Sequence, residues 1–148
     1  MTIEELNLVP VAENAARLLH QKFPQLEFTS GRRDVPHQAH AMARNVVETG
    51  NRQWIAQTYK AAAKLQQWVD THPQAKTIDE ITAGLRTTME AMPEVELLKV
   101  SKHLTGKAFD IRPVTANSEA IKNFIRTLPG LTTFLDKEAG VTRWHAQF

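Results

Sequence analysis

The chain contains 148 residues, of which 42% are hydrophobic and 23% are charged, and it has no cysteine. This length and composition are typical of one globular domain, so we expect a single domain over residues 1–148. Without thiols the chain can form neither a disulfide nor a thiolate metal site nor a cysteine nucleophile, so any metal must be held by imidazole and carboxylate groups.

Charge and the N-terminal sequence limit the surroundings in which the chain acts. A net charge of +2 and a pI near 9.0 favour an anionic polymer as partner. The sequence contains no run of Lys and Arg interleaved with aromatic residues, so it does not predict binding to nucleic acid. Residues 1–6 are acidic and precede no apolar segment, so we predict no secretory signal. No stretch approaches the roughly eighteen apolar residues of a membrane span. We therefore expect synthesis in the cytoplasm, no membrane insertion and a monomer.

The first third of the chain predicts two helices and a strand. Apolar residues recur at helical spacing over 11–23, where Pro24 ends the pattern, and residues 26–29 alternate as in a half-buried strand. A second helix begins at Asp34 and ends at Gly50.

The middle of the chain predicts a helical layer. Residues 51–71 carry apolar side chains at steps of three and four. Thr77 and Glu80 form a capping-box pattern that opens a further helix, which should end just before Pro93. We interpret residues 51–92 as a helical insertion in the domain.

The last third predicts the strands of a small sheet. Residues 108–112 form a strand, residues 119–128 a helix, residues 131–139 a short helical segment and residues 141–148 a terminal strand. Helices on one side of a small antiparallel sheet make an α+β fold.

The spacing of three residues predicts a metal site. If the chain turns at Gly106 and enters a strand at Ala108, His103 and Asp110 face one another across the turn. His145 on the last strand is the natural third ligand. Two histidines and one carboxylate with an open fourth position are typical of a catalytic zinc site.

Three separated blocks of the sequence also resemble a known family. They are the pattern His-x-x-Gly-x-Ala-x-Asp over 103–110 with Ser101 before it, the late pair Trp144-His145, and Thr-Ser-Gly-Arg-Arg over 29–33 with Gln38 five residues later. Together they look like the zinc D-alanyl-D-alanine peptidases and dipeptidases and the related phage L-alanyl-D-glutamate endolysins, which share a fold with the hedgehog signalling domain.

The resemblance implies a hedgehog/DD-peptidase fold and a role for each matching residue. It implies that the three candidate ligands bind Zn²⁺ and that Arg33 stabilises the developing oxyanion or the substrate carbonyl. Ser101 and Gln38 would support the pocket. The implied activity is that of a metallopeptidase that hydrolyses a bond next to a D-amino acid in peptidoglycan stem peptides.

One position departs from the family pattern. Many members carry a Glu or Asp three residues before the final histidine as general base, but Thr142 stands there, and its hydroxyl cannot accept a proton at neutral pH. Glu138 is the first candidate for the base, because a turn at Gly140 could return its carboxylate to the metal, and Asp136 is the second. A third possibility is a chain that keeps zinc but hydrolyses slowly.

We therefore expect a zinc murein endopeptidase or carboxypeptidase that acts on the cell wall or in the periplasm after release. It would be a phage endolysin or a virion-associated or secreted lytic enzyme. Two alternatives stay open. One is a zinc-containing module that binds a wall peptide or a protein with little or no turnover, and the other is a D-alanyl-D-alanine dipeptidase or carboxypeptidase.

Overall fold

A computed structural model describes all residues from 1 to 148 and combines helices with a four-stranded antiparallel sheet, which confirms the predicted α+β class. The elements, in chain order, are α1 (Pro10–Lys22), β1 (Phe28–Ser30), α2 (Val35–Thr49), α3 (Trp54–Thr58), α4 (Ala63–Thr71), α5 (Ile78–Glu90), α6 (Glu94–Leu97), a 3₁₀-helix (Lys102–Thr105), β2 (Ala108–Ile111), α7 (Ser118–Arg126), β3 (Thr133–Glu138) and β4 (Val141–Gln147). The chain divides into two compact units, one of Met1–Arg32 with Thr105–Phe148 and the other of Arg33–Leu104.

The first unit contains the sheet and helices α1 and α7. The strand order is β1-β2-β4-β3, and every neighbouring pair is antiparallel. Apolar side chains of both helices and of the sheet form one hydrophobic core, whose fully buried members include Leu19, Phe109, Ile111, Ile121 and Ile125. Burying this apolar surface is what holds the helices against the sheet.

The alternation of side chains along β2 and β4 determines which of them point away from the hydrophobic core. Phe109 and Ile111 on β2 and Trp144 on β4 are buried in the core. Successive residues of a strand point to opposite faces, so Asp110 and His145 project from the other face of the sheet. The two residues lie opposite one another in the β2–β4 register.

The prediction of a helical segment over 131–139 is wrong, because residues 133–138 form strand β3. A two-residue connection, Ala139 and Gly140, joins β3 to β4, with φ angles of 46° and 82°. Positive φ at both residues is typical of the tight turns that connect hairpin strands. Hydrogen bonding to β4 thus overrides the local pattern, and it places Glu138 at the end of β3, directly before the turn.

The second unit contains helices α2 to α6 around a separate hydrophobic core. Its predicted helix starts are confirmed: the Asp34 carboxylate accepts a hydrogen bond from the His37 amide at 2.9 Å, and the Thr77 hydroxyl accepts one from the Glu80 amide at 3.2 Å. Gly50 ends α2 with a φ of 64°, a left-handed conformation that suits glycine.

The predicted helical stretch over 51–71 is interrupted, since α3 ends at Thr58 and α4 begins at Ala63. The buried amide of Gln66 on α4 compensates for the break by bonding to the backbone of the preceding segment. It accepts a hydrogen bond from the Ala56 amide at 3.0 Å and donates one to the Arg52 carbonyl at 2.7 Å. A buried polar side chain with satisfied partners therefore joins the two short helices.

Candidate metal centre

The segment from Ser101 to Asp110 places the first candidate ligand. The His103 amide donates a hydrogen bond to the Ser101 hydroxyl at 3.2 Å, which helps to hold the 3₁₀-helix. The predicted turn at Gly106 is confirmed, because this residue has a φ of 73°. Glycine adopts that conformation without the strain that a Cβ would introduce. The chain then enters β2 at Ala108, as predicted.

Asp110 and His145 form a buried pair on neighbouring strands. The Nδ1 atom of His145 lies 2.7 Å from Oδ1 of Asp110, and the two residues are 5% and 6% exposed. Burial by itself would lower the pKa of His145, but the hydrogen bond and charge of Asp110, with smaller contributions from Glu138 and Gln147, outweigh it and hold that pKa above the ordinary 6.5. In the absence of a metal the pair therefore favours a protonated imidazole next to a carboxylate.

The structure brings the three predicted ligands into one group. Potential ligand atoms of His103, Asp110 and His145 all lie within 4.8 Å of one another, and all three residues are buried. Ligand atoms that share one tetrahedral ion such as zinc lie roughly 3.3 Å apart, so the observed spacing is on the scale of a single ion. Two imidazole nitrogens and a carboxylate oxygen suit a borderline divalent cation. The group could therefore hold a metal ion.

Glu138 and Asp136, the two candidates for the general base, have different surroundings. Oε1 of Glu138 lies 3.9 Å from Nδ1 of His145, and the Glu138 side chain is 10% exposed. Asp136 instead lies 3.2 Å from the Lys122 ammonium, and its side chain is 43% exposed. That hydrogen-bonded cation lowers the pKa of Asp136 below its ordinary value. Thr142 pairs with Lys137 in the hairpin and is exposed. Glu138 is thus the carboxylate that the hairpin places beside a candidate ligand.

The remaining predicted site residues lie in the second unit and are linked to His103. The Arg33 amide donates a hydrogen bond to the His103 carbonyl at 2.9 Å. The Arg33 guanidinium lies 3.4 Å from Oε1 of Gln38, whose side-chain nitrogen donates to the Tyr59 hydroxyl at 3.3 Å. Gln38 is fully buried. Hydrogen bonds therefore hold Arg33 between the backbone of a candidate ligand and a buried amide.

Gln147 contacts the group and is not among the site residues predicted from the sequence. Oε1 of Gln147 lies 2.9 Å from Nε2 of His145. The signal that could have revealed it is the two-residue spacing, because residues i and i+2 of a strand share a face. Two further histidines, His37 and His40, do not belong to the metal-binding group. Both are exposed on α2, and Nδ1 of His37 lies 2.7 Å from the Asp34 carboxylate.

Comparisons with known proteins found no match. No protein-family model matches the chain, and no curated protein and no solved structure matches it. None of the helices combines the length and the apolar character needed to cross a membrane.

Proposed function

We propose that this protein is a zinc-dependent peptidoglycan peptidase with a hedgehog/DD-peptidase fold. The observation that carries the proposal is the buried group of two histidines and one aspartate, whose ligand atoms lie within 4.8 Å of one another. The same residues form the motif that resembles the zinc D-alanyl-D-alanine peptidases and the phage endolysins. The α+β architecture with a small antiparallel sheet is compatible with that fold.

We propose zinc as the metal, because imidazole nitrogens and carboxylate oxygens are among its usual protein ligands. Three protein ligands of the His₂-carboxylate type leave a fourth position for water, which distinguishes catalytic from structural zinc sites. A bound zinc ion would polarise the scissile carbonyl and lower the pKa of its water towards 7. The burial of all three ligands would strengthen such electrostatic effects by excluding bulk water.

Glu138 is proposed as the general base that accepts a proton from the attacking water. A candidate base must approach the reacting group closely, and Glu138 lies 3.9 Å from a ligand nitrogen. The β3–β4 hairpin holds Glu138 near His145. In this proposal Glu138 has the role that an acidic residue at position 142 has in many members of the family that the sequence resembles. Asp136 is the weaker candidate, because its carboxylate is paired with Lys122.

Arg33 is proposed to stabilise the negative charge that develops on the substrate carbonyl. A hydrogen-bond donor stabilises the charge of a transition state most effectively when its position is fixed before the reaction begins. The contacts of Arg33 with the His103 carbonyl and with Gln38 supply that restraint. Ser101 would act through its hydrogen bond to the His103 amide, which orients the first ligand.

The proposed substrate is the stem peptide or cross-link of peptidoglycan, cut next to a D-amino acid. The net positive charge of the chain favours approach to an anionic wall polymer. We propose that the protein acts as a monomer on the wall after release, as an endolysin or as a virion-associated or secreted lytic enzyme.

Defined muropeptides test the proposal and identify the bond. The zinc-loaded protein is incubated with a stem pentapeptide ending in D-Ala-D-Ala, with a cross-linked dimer and with free D-alanyl-D-alanine, and the products are analysed by mass spectrometry. Matched reactions contain a chelator, followed by added zinc. We expect cleavage that the chelator abolishes and that zinc restores. The masses distinguish an L-Ala–D-Glu endopeptidase from a carboxypeptidase, a cross-link endopeptidase or a dipeptidase.

Two outcomes would contradict the proposal. Cleavage that persists after the metal has been removed would show that the three-residue group does not carry the activity. Zinc binding with every muropeptide intact would instead identify a binding module, and a shift in melting temperature on adding the muropeptides would then report whether a wall peptide is recognised.

A further inference from the structure

Both ring nitrogens of His145 have a defined partner. Nδ1 lies 2.7 Å from Oδ1 of Asp110, and Nε2 lies 2.9 Å from Oε1 of Gln147. A neutral imidazole carries a hydrogen on one nitrogen and a lone pair on the other. Nδ1 faces the other strand-borne candidate ligand, so it is the nitrogen that can share an ion with Asp110. Nε2 must then carry the hydrogen, and the Gln147 side-chain carbonyl is placed to accept it.

The backbone of Gln147 is held from both sides. This residue follows His145 by two positions on β4, and it pairs with Ala108 on β2 and with Thr133 on β3. Its carbonyl also accepts hydrogen bonds from the Thr132 amide at 2.8 Å and from the Thr132 hydroxyl at 3.2 Å. The sheet therefore fixes the backbone from which the Gln147 side chain projects. A side chain that orients a metal ligand requires such a fixed backbone.

We propose that Gln147 is a positioning residue of the metal site. Its side-chain carbonyl selects the His145 tautomer that carries hydrogen on Nε2, which leaves the lone pair of Nδ1 for the metal. Partners of this kind contribute about 10-fold to 100-fold to metal affinity in proteins. The inference rests on the metal-binding part of the proposed function and does not depend on the substrate.

Gln147 also offsets a preference that Asp110 imposes on the ring. A carboxylate next to Nδ1 favours hydrogen on that nitrogen, and a ring in that tautomer has no lone pair there for a metal. The acceptor on the Nε2 side stabilises the opposite tautomer. Loss of this acceptor should therefore weaken zinc binding and, among the neutral rings of the metal-free protein, raise the proportion that carries hydrogen on Nδ1.

Two substitutions of Gln147 separate the loss of the acceptor from a general structural effect. Gln147→Met keeps the length of the side chain and removes the acceptor, whereas Gln147→Glu keeps an acceptor and makes it stronger. Gln67→Met, at an exposed position on α4, is the matched control. Zinc affinity is measured on the full chain by competition with a chromophoric chelator. We expect affinity about 10-fold to 100-fold weaker for Gln147→Met, and affinity at least equal to wild type for Gln147→Glu and unchanged for the control.

Long-range ¹H–¹⁵N NMR spectra of the imidazole provide a readout that a general loss of stability would not mimic. In the zinc-bound wild type we expect hydrogen on Nε2 of His145 and the metal on Nδ1. Among the neutral rings of the metal-free proteins, Gln147→Met should show more hydrogen on Nδ1 than the wild type, and Gln147→Glu should restore the wild-type pattern. If Gln147→Met does not fold, Gln147→Glu still tests the proposal, because it has to bind zinc at least as tightly as the wild type.

Several results would overturn this role. They are zinc affinity of Gln147→Met equal to wild type, zinc bound to Nε2 of His145, or a loss of affinity in Gln147→Glu. A wild-type protein that binds no zinc would refute both the metal site and the role of Gln147. A wild-type protein that binds zinc but cleaves no muropeptide would refute the peptidase activity alone, so the two proposals fail separately.

Discussion

Replacing Glu138 with glutamine tests the assignment of the general base. The substitution keeps the shape of the side chain and removes the negative charge that lies 3.9 Å from Nδ1 of His145. Glu138 is not a member of the three-residue ligand group, so at saturating zinc we expect the metal content to stay unchanged. General bases contribute about 10²-fold to 10⁴-fold to rate, and this loss corresponds to about 2.7 to 5.4 kcal/mol in the activation free energy.

The assay measures kcat for the muropeptide that the wild type cleaves, together with the zinc content of each protein. Asp136→Asn is the matched control, because it also exchanges a carboxylate of β3 for an amide, at a position paired with Lys122 rather than with the ligand group. That pair is solvent-accessible, so we expect its loss to change both stability and turnover very little. Unchanged turnover in Glu138→Gln would refute the assignment, and a loss confined to Asp136→Asn would transfer the role to Asp136.

Two further predictions concern stability. Burial lowers the pKa of His145, but the hydrogen bond and charge of Asp110 outweigh this effect and raise that pKa. The protonated pair therefore stabilises the metal-free fold fully below pH 6.5, and this contribution is lost as pH rises through the raised pKa. Zinc displaces the proton, so stabilisation by zinc should grow over the same pH range. Melting temperatures with chelator and with zinc test this contrast, and a shift on zinc addition that shrinks as pH rises would contradict it. At Gly84 on α5, a Cβ would lie 1.9 Å from Cζ2 of Trp68, so we expect Gly84→Ala to lower the free energy of unfolding by about 1 to 2 kcal/mol after the gain in helix propensity. Urea denaturation measures this change. A free energy of unfolding equal to or above that of the wild type would contradict the prediction, because it would show that α4 and α5 accommodate the added methyl group without loss of stability.

Patterns between residues close together in the chain allowed the sequence alone to predict several helices. The starts of α2 and α5 follow from Asp34 and Thr77, whose side chains bond to amides three residues later. Such capping contacts depend on local geometry and need no knowledge of the rest of the fold. The spacing of His103, Gly106 and Asp110 likewise predicted a turn into a strand, because a left-handed glycine and the two-residue period of a strand are local properties.

Contacts between distant residues decided the rest. The segment over 131–139 is compatible with a helix by its local pattern, but it becomes β3 because its backbone pairs with β4. That pairing brings Glu138 to His145, and the β2–β4 register brings Asp110 to the same ring. The contact of Gln147 with Nε2 of His145 depends on the ring orientation that these partners impose. Local patterns in the amino-acid sequence thus identified the residues that could hold a metal. The side chains that surround them depend on strand pairing, which is set by interactions between residues far apart in the chain.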